Sequence, residues 1–161
     1  MLAQRIMKSL SHRHLTTLSL TVDLAAIFAI GDTRAGRRLV APVAGGRFEG
    51  ERLSGSVLQG GSDWVTQQAD GSATIDVRLC LETVDGARLG LTYQGRFVGA
   101  PGLMQQFVAG QRVDPAAFSL QTVAKFETGD ARYAWLNDAI VIGLGEQTET
   151  GPAYQLYEID R

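Results

Sequence analysis

One cysteine, Cys80, in 161 residues leaves no partner for a disulfide within the chain. The core must hold without cross-links. Cysteine usage gives no reason to invoke an oxidising compartment, and a cytoplasmic protein is expected. Histidine is nearly as scarce: both copies, His12 and His14, lie near the start. Long basic runs are missing and the net charge is −2, so nucleic acid has little electrostatic purchase. No run of membrane-spanning length is present either. The apolar stretch from Leu15 to Ile30 is broken by Asp23 and by several Thr and Ser, which also denies it a clean signal-peptide core. No nucleic-acid or membrane partner is expected.

Only 4 prolines stand against 19 glycines, a balance that suits many tight turns and close backbone approaches. A chain of 161 residues fits one domain and is long enough to bury a core. Residues 1–14 carry Arg5, Lys8 and Arg13 before the first acid, Asp23, and read as a flexible N-terminal extension. Residues 15–161 read as the single domain.

Within that domain the dominant period is two. Leu18, Leu20, Val22 and Leu24 alternate with Ser19, Thr21 and Asp23. Gly31 to Gly36 reads as a loop. Arg37 to Val43 reads as a strand ending at a Gly45-Gly46 turn, followed by Leu53 to Leu58 and a short Trp64 to Gln68. In the clearest strand Ala73, Ile75, Val77, Leu79 and Leu81 share one face; Thr74, Asp76, Arg78, Cys80 and Glu82 share the other. Asp70-Gly71 and Asp85-Gly86 bracket it as hairpin turns. Arg88 to Phe97 follows, with Leu89, Leu91 and Tyr93 on one side. Gly102 to Ala109 has helical spacing and a Gly110 cap. Strands resume at Phe118 to Thr128, Ala139 to Gly145 and Ala153 to Asp160. Eight or nine strands in hairpin order must dispose of their edges, and closure does so. The expected fold is all-β: a closed antiparallel barrel of about eight strands with one short helix. An open two-sheet sandwich is the competing architecture. About eight strands leave room inside for side chains or one small ligand.

With the extension set aside, the domain has no histidine. That removes histidine triads and histidine-ligated metals from the expected chemistry. Ile142-Gly143-Leu144-Gly145 does not complete a dinucleotide fingerprint, because Thr148 stands where the last glycine belongs. No phosphate loop is present, so neither metal nor organic cofactor is expected. Asp76 and Arg78 put a carboxylate and a guanidinium two residues apart on one strand face. In a pocket such a pair would hold a polar substrate; its plainer reading is a solvated outer face.

Two segments carry a family resemblance: KFETGDARYAWLN (125–137) and GGRFEGERLSGSVLQGGSDW (45–64). With DVRLCLETVDG and DPAAFSLQT in the right order, the chain from about Leu15 to its C-terminus resembles the domain-of-unknown-function 3237 family, also called uncharacterised protein family 0311. The resemblance implies a calycin-like β-barrel, often homo-oligomeric. It raises Asp76, Arg78 and Glu127 as catalytic candidates in the lumen, and Trp135 and Asn137 as ligand-binding candidates. Asp63 and Trp64 are read either as a rim carboxylate with an aromatic wall or as a capped turn beside a packed indole. Glu127 is read either as a general base or as a tie to Arg132. Ser62 stands where the family often has Ala, Leu79 where it often has Tyr, and the surroundings of Tyr93, a further ligand-binding candidate, also depart from the pattern. The function expected from this set is a small-molecule-binding barrel acting as a cofactor-independent acid–base enzyme, of lyase, isomerase or cyclase type, on a small aromatic or polyketide-like compound in the lumen. A non-catalytic carrier is the alternative.

Overall fold

The computed structural model describes residues 9–160. Ten strands form one sheet: β1 (His12–Val22), β2 (Phe28–Thr33), β3 (Gly36–Glu49), β4 (Gly55–Val57), β5 (Gly61–Gln67), β6 (Ala73–Thr83), β7 (Arg88–Gly99), β8 (Phe118–Glu127), β9 (Val141–Gln147) and β10 (Pro152–Ile159). One short helix, α1 (Leu103–Val108), sits between β7 and β8. Every pairing is antiparallel. The sheet closes because β1 pairs with β10 on one side and with β3 on the other. The ten strands fill eight places around a closed barrel. Along β3, β1 pairs with the lower half and β2 with the upper half. On its other side β4 and β5 divide the length in the same way before β6 takes over. No helix among the described residues is long and apolar enough to cross a membrane.

The alternation read from the sequence decides which side chains are inside. Ala73, Ile75, Val77, Leu79 and Leu81 are all buried on β6, and Leu89, Leu91, Tyr93 and Phe97 on β7. Leu120, Thr122, Ala124 and Phe126 do the same on β8, and Tyr154, Leu156 and Glu158 on β10. Each fully buried aliphatic or aromatic side chain contributes about 1.5–3 kcal/mol, so this continuous core explains stability without a cross-link.

Three features differ from the sequence reading. First, β3 runs straight through Gly45-Gly46 rather than ending there. Strand β1 passes so close that a Cβ on Gly46 would run into the Ser19 carbonyl; the glycines permit a close approach instead of a reversal. Second, β2 runs into the first half of the stretch read as a loop, and β3 starts at its last residue, Gly36. The burial of β2 is slight, so it leaves little hydrophobic signal. Third, β1 begins at His12. His12, Arg13 and His14 pair with Ile159, Glu158 and Tyr157, which puts both histidines on the barrel and not on an extension. The remainder of the predicted extension, residues 1–8, lies outside the described residues.

The two ends differ. At the lower end, a 3-10 segment (Ala131–Asp138) folds across the opening and buries Leu136 completely. Arg52 stacks over Trp135 with its guanidinium carbon 4.2 Å from the ring centre, and its Nη1 donates to Glu158 Oε2 at 2.7 Å. Arg13 Nε reaches the same Oε2 at 3.2 Å. That end is plugged. At the upper end α1 lies over the opening, held by edge and stacked contacts among Phe97, Phe107 and Phe118 with ring centres 5.3–5.8 Å apart.

Candidate functional site

Beneath α1 the upper half of the barrel holds an apolar cavity of about 70 Å³ that opens to solvent at its mouth. Its walls are Val43, Val65, Ile75, Phe97 and Leu120 from the strands and Met104, Phe107 and Val108 from α1. Among the described residues, two ionisable groups line its inner part, Asp63 and Tyr154; Gln147 ends β9, and Thr148 and Glu149 stand on the connection to β10. A mostly apolar wall with few placed polar groups is the composition expected of a small-molecule site.

Asp63 points inward because β5 enters the sheet at Gly61 and alternates from there, with Asp63 opposite Ala41 on β3 and Val77 on β6. The Ala41 methyl leaves space beside the carboxyl. Asp63 as a residue keeps some surface where it borders the chamber, yet its Oδ1 is shut off from bulk solvent and has no hydrogen-bond donor. Burial pushes its carboxyl up from 3.8 to about 7. The Asp76 backbone N–H pulls it back, the Asp76 charge raises it further, and Arg38 lowers it slightly. A carboxyl that is half ionised near neutrality suits proton transfer.

Two tyrosines stand beside it. The rings of Tyr93 and Tyr154 meet at 5.2 Å with a 60° tilt. Burial is the main reason both hydroxyls are pushed well above the usual phenol range. For Tyr93, Tyr154 adds to this and then Asp63; for Tyr154, the next cause is Asp63. Both therefore remain protonated donors across the working pH range. The Tyr93 hydroxyl and the Thr122 hydroxyl are buried without a partner among the described residues. Such groups each cost on the order of 1–3 kcal/mol unless something satisfies them. Of the three unpartnered polar atoms, only the Asp63 oxygen belongs to a residue that lines the chamber.

The sequence candidates separate into three groups. Asp63 and Tyr93 lie inside. Asp76, Arg78 and Glu127 do not lie in the lumen, which corrects the placement expected for them. Alternation along β6 and β8 turns all three outward while Ile75, Val77 and Phe126 take the inner face. Asp76 and Arg78 instead border a shallow outer hollow with Arg38, Ser62 and Trp64. Trp64 is likewise outside, 40% exposed, with Arg38 5.3 Å from its ring centre and its Nε1 donating to Ser62 Oγ at 3.1 Å. Glu127 does not tie to Arg132, which is held by Asp130 and Asp85.

Trp135 and Asn137 form the third group, at the plugged lower end away from the chamber. Asn137 accepts from the Thr128 N–H at 2.8 Å and donates to the Thr128 carbonyl at 3.1 Å, so it fixes a turn. The sequence points to the α1 helix but not to its place over the chamber, and it does not single out Tyr154 or Thr122. The alternation of Tyr154, Leu156 and Glu158 on β10 was the available signal for the first.

Residues 11–159 match the model of a family described as a protein of unknown function, DUF3237. A UPF0311 protein of Bradyrhizobium diazoefficiens is 31% identical over 124 residues, spanning 77% of this chain and 81% of the relative. A solved β-barrel-like protein from Acinetobacter baumannii AYE is 32% identical, with 98% of this chain and all of that one covered and a TM-score of 0.82. An enzyme from Penicillium herquei shares the fold at 20% identity, covering 96% of this chain and 97% of that one, with a TM-score of 0.71. With nearly its whole length matched, the chain belongs to the DUF3237 family.

Proposed function

We propose that the upper chamber binds a small, largely apolar molecule and that Asp63 moves a proton on it. The protein is then a cofactor-independent acid–base enzyme of lyase, isomerase or cyclase type. The observation that carries this reading is the Asp63 carboxyl, with one oxygen unpartnered, brought to about 7 by burial and facing an apolar chamber. In its ionised form it abstracts a proton; in its neutral form it returns one. Tyr154, and Tyr93 behind it, supply hydroxyl donors where an oxygen would gain negative charge. The shared fold with an enzyme from Penicillium herquei is compatible with catalysis in such a barrel and assigns none.

The test uses small aryl ketones such as 1-indanone in deuterium oxide near neutrality, followed by proton NMR at the carbon next to the carbonyl. Wild-type protein is expected to speed exchange at that carbon, and Asp63→Asn to lose about a hundredfold or more of the acceleration while still binding the ketone. Exchange undiminished in Asp63→Asn removes Asp63 as the base. Ketones that bind across the panel without exchange assign a carrier instead. The largely apolar lining, with Asp63 as the carboxyl in its inner part, is the feature that favours that second reading.

A further inference from the structure

Among the described residues, no Lys, Arg or His borders the chamber, although Arg38 acts weakly on Asp63 from the outer face. The arginines nearest to serving it are engaged elsewhere. Arg38 lies on the outer face, donating to Thr66 Oγ1 at 2.6 Å and covering Trp64. Arg78 faces outward on β6, and Arg52 is committed to Glu158 and Trp135 at the opposite end. The charges that do line the chamber are of one sign: Asp63 within and Glu149 on the β9–β10 connection.

An anion entering here would lose its hydration, meet a carboxyl and find no counter-ion among the lining residues, with Arg38 acting only from the outer face. Buried charge without a partner costs several kcal/mol. The polar groups within reach are of another kind. The tyrosine hydroxyls donate, and a carboxyl that exchanges its proton near neutrality both donates and accepts. They sit together around the paired rings of Tyr93 and Tyr154, while Val65, Ile75, Phe97 and Leu120 offer only hydrocarbon.

Resting on the reading that this chamber holds a small molecule, we infer that its ligand is uncharged: a compact hydrocarbon body with a carbonyl or hydroxyl oxygen at its inner end. Carboxylates and phosphates are excluded. The oxygen accepts from the Tyr154 hydroxyl or the neutral Asp63, or donates to the ionised one. Discrimination comes from the absent cation as much as from the donors present.

Naphthalene, 2-naphthol and 2-naphthoate separate these terms, because they share a ring system and differ in one substituent. Binding of each is measured at pH 6 by saturation-transfer NMR titration. Contacts are located by intermolecular NOEs to the Met104 methyl in the wild-type chain, and Ile75→Trp serves as the variant with a filled chamber. The naphthol is expected to bind about tenfold tighter than naphthalene and at least about tenfold tighter than the naphthoate. The NOEs should reach Met104, and binding should be lost in Ile75→Trp. Naphthoate binding as tightly as the naphthol, with the same NOEs, overturns the exclusion of anions and leaves the chamber a ligand site. Naphthalene equalling the naphthol overturns the role of the oxygen. Failure of all three to contact Met104 in the wild-type protein overturns this inference together with the binding reading beneath it.

Discussion

Replacing Asp63 by Asn removes one ionisation and almost nothing else, and its consequence is a change in how stability depends on pH. The unfolded chain releases the Asp63 proton near 3.8, whereas the folded chain keeps it until about 7. Between those values the native state binds more protons than the unfolded state, so stability falls as pH rises. The contribution favouring the native state is fully present below about pH 4 and gone above about pH 7. The separation is about three pH units, and each unit is worth about 1.4 kcal/mol, so the total is about 4 kcal/mol. The amide of the Asp63→Asn variant does not titrate and has no such dependence. The gap between variant and wild type should therefore move by about 4 kcal/mol in favour of the variant between pH 4 and pH 8. Urea unfolding of both proteins, followed by tryptophan fluorescence at pH 4, 6 and 8, measures it. Carboxylates held low, such as Asp85, Asp130 and Glu158, titrate in both proteins and cancel in the difference. A difference that stays flat with pH would refute the reasoning, because Asp63 would then be solvated or paired like an ordinary surface carboxylate.

Two further outcomes follow from the same coordinates. Asp76→Asn, Arg78→Ala and Glu127→Gln lie on the outer wall, so each should leave chamber binding of 2-naphthol unchanged and alter stability by no more than about 0.5 kcal/mol; a tenfold loss of binding in a titration would return the site to the outside. Glu158→Ala breaks the lower-end link to Arg52 and Arg13. Burial pushes the Glu158 carboxyl up, but the two arginines together outweigh it and hold it below its usual 4.5. The variant should be about 2 kcal/mol less stable at pH 7, discounted because both arginines are substantially exposed. That deficit should shrink as pH falls through the lowered value, as read from urea midpoints taken stepwise downward from pH 7.

The barrel was legible because period two is a local property. On β6 every second residue from Ala73 to Leu81 is apolar, and on β7 Leu89, Leu91, Tyr93 and Phe97 keep the same phase, so both strands bury one face only. Closure is not local. It depends on β1 reaching both β3 and β10, and the clue, Gly45-Gly46, has the same composition as a turn. The site was half legible for a related reason. Asp76 and Arg78 drew attention as a charged pair, yet the alternation that places Ile75 and Val77 inside also places them outside; the periodicity outranks the chemistry of the pair. Asp63 escaped that rule because its strand is short and begins at glycines, which give no phase from which to count.

Why the chamber lies in the upper half is a matter of side-chain size at matched levels. Below, Phe48, Leu81, Leu91, Phe126 and Leu156 fill the cross-section. Above, inward positions on β3 and β9 are held by Ala41 and Gly145. A Cβ on Gly145 would stand 2.6 Å from Leu120 and 2.8 Å from the Tyr154 ring. The glycines that fall short of a nucleotide fingerprint thus make room for the Tyr154 ring, whose hydroxyl shares the electrostatic environment of Asp63. Space, donor and carboxyl arise together from small residues facing a large one. A barrel selected only for stability would have filled that volume with aliphatic carbon. Leaving it open while burying a carboxyl beside it costs stability, and such a cost is characteristic of a site shaped for a ligand.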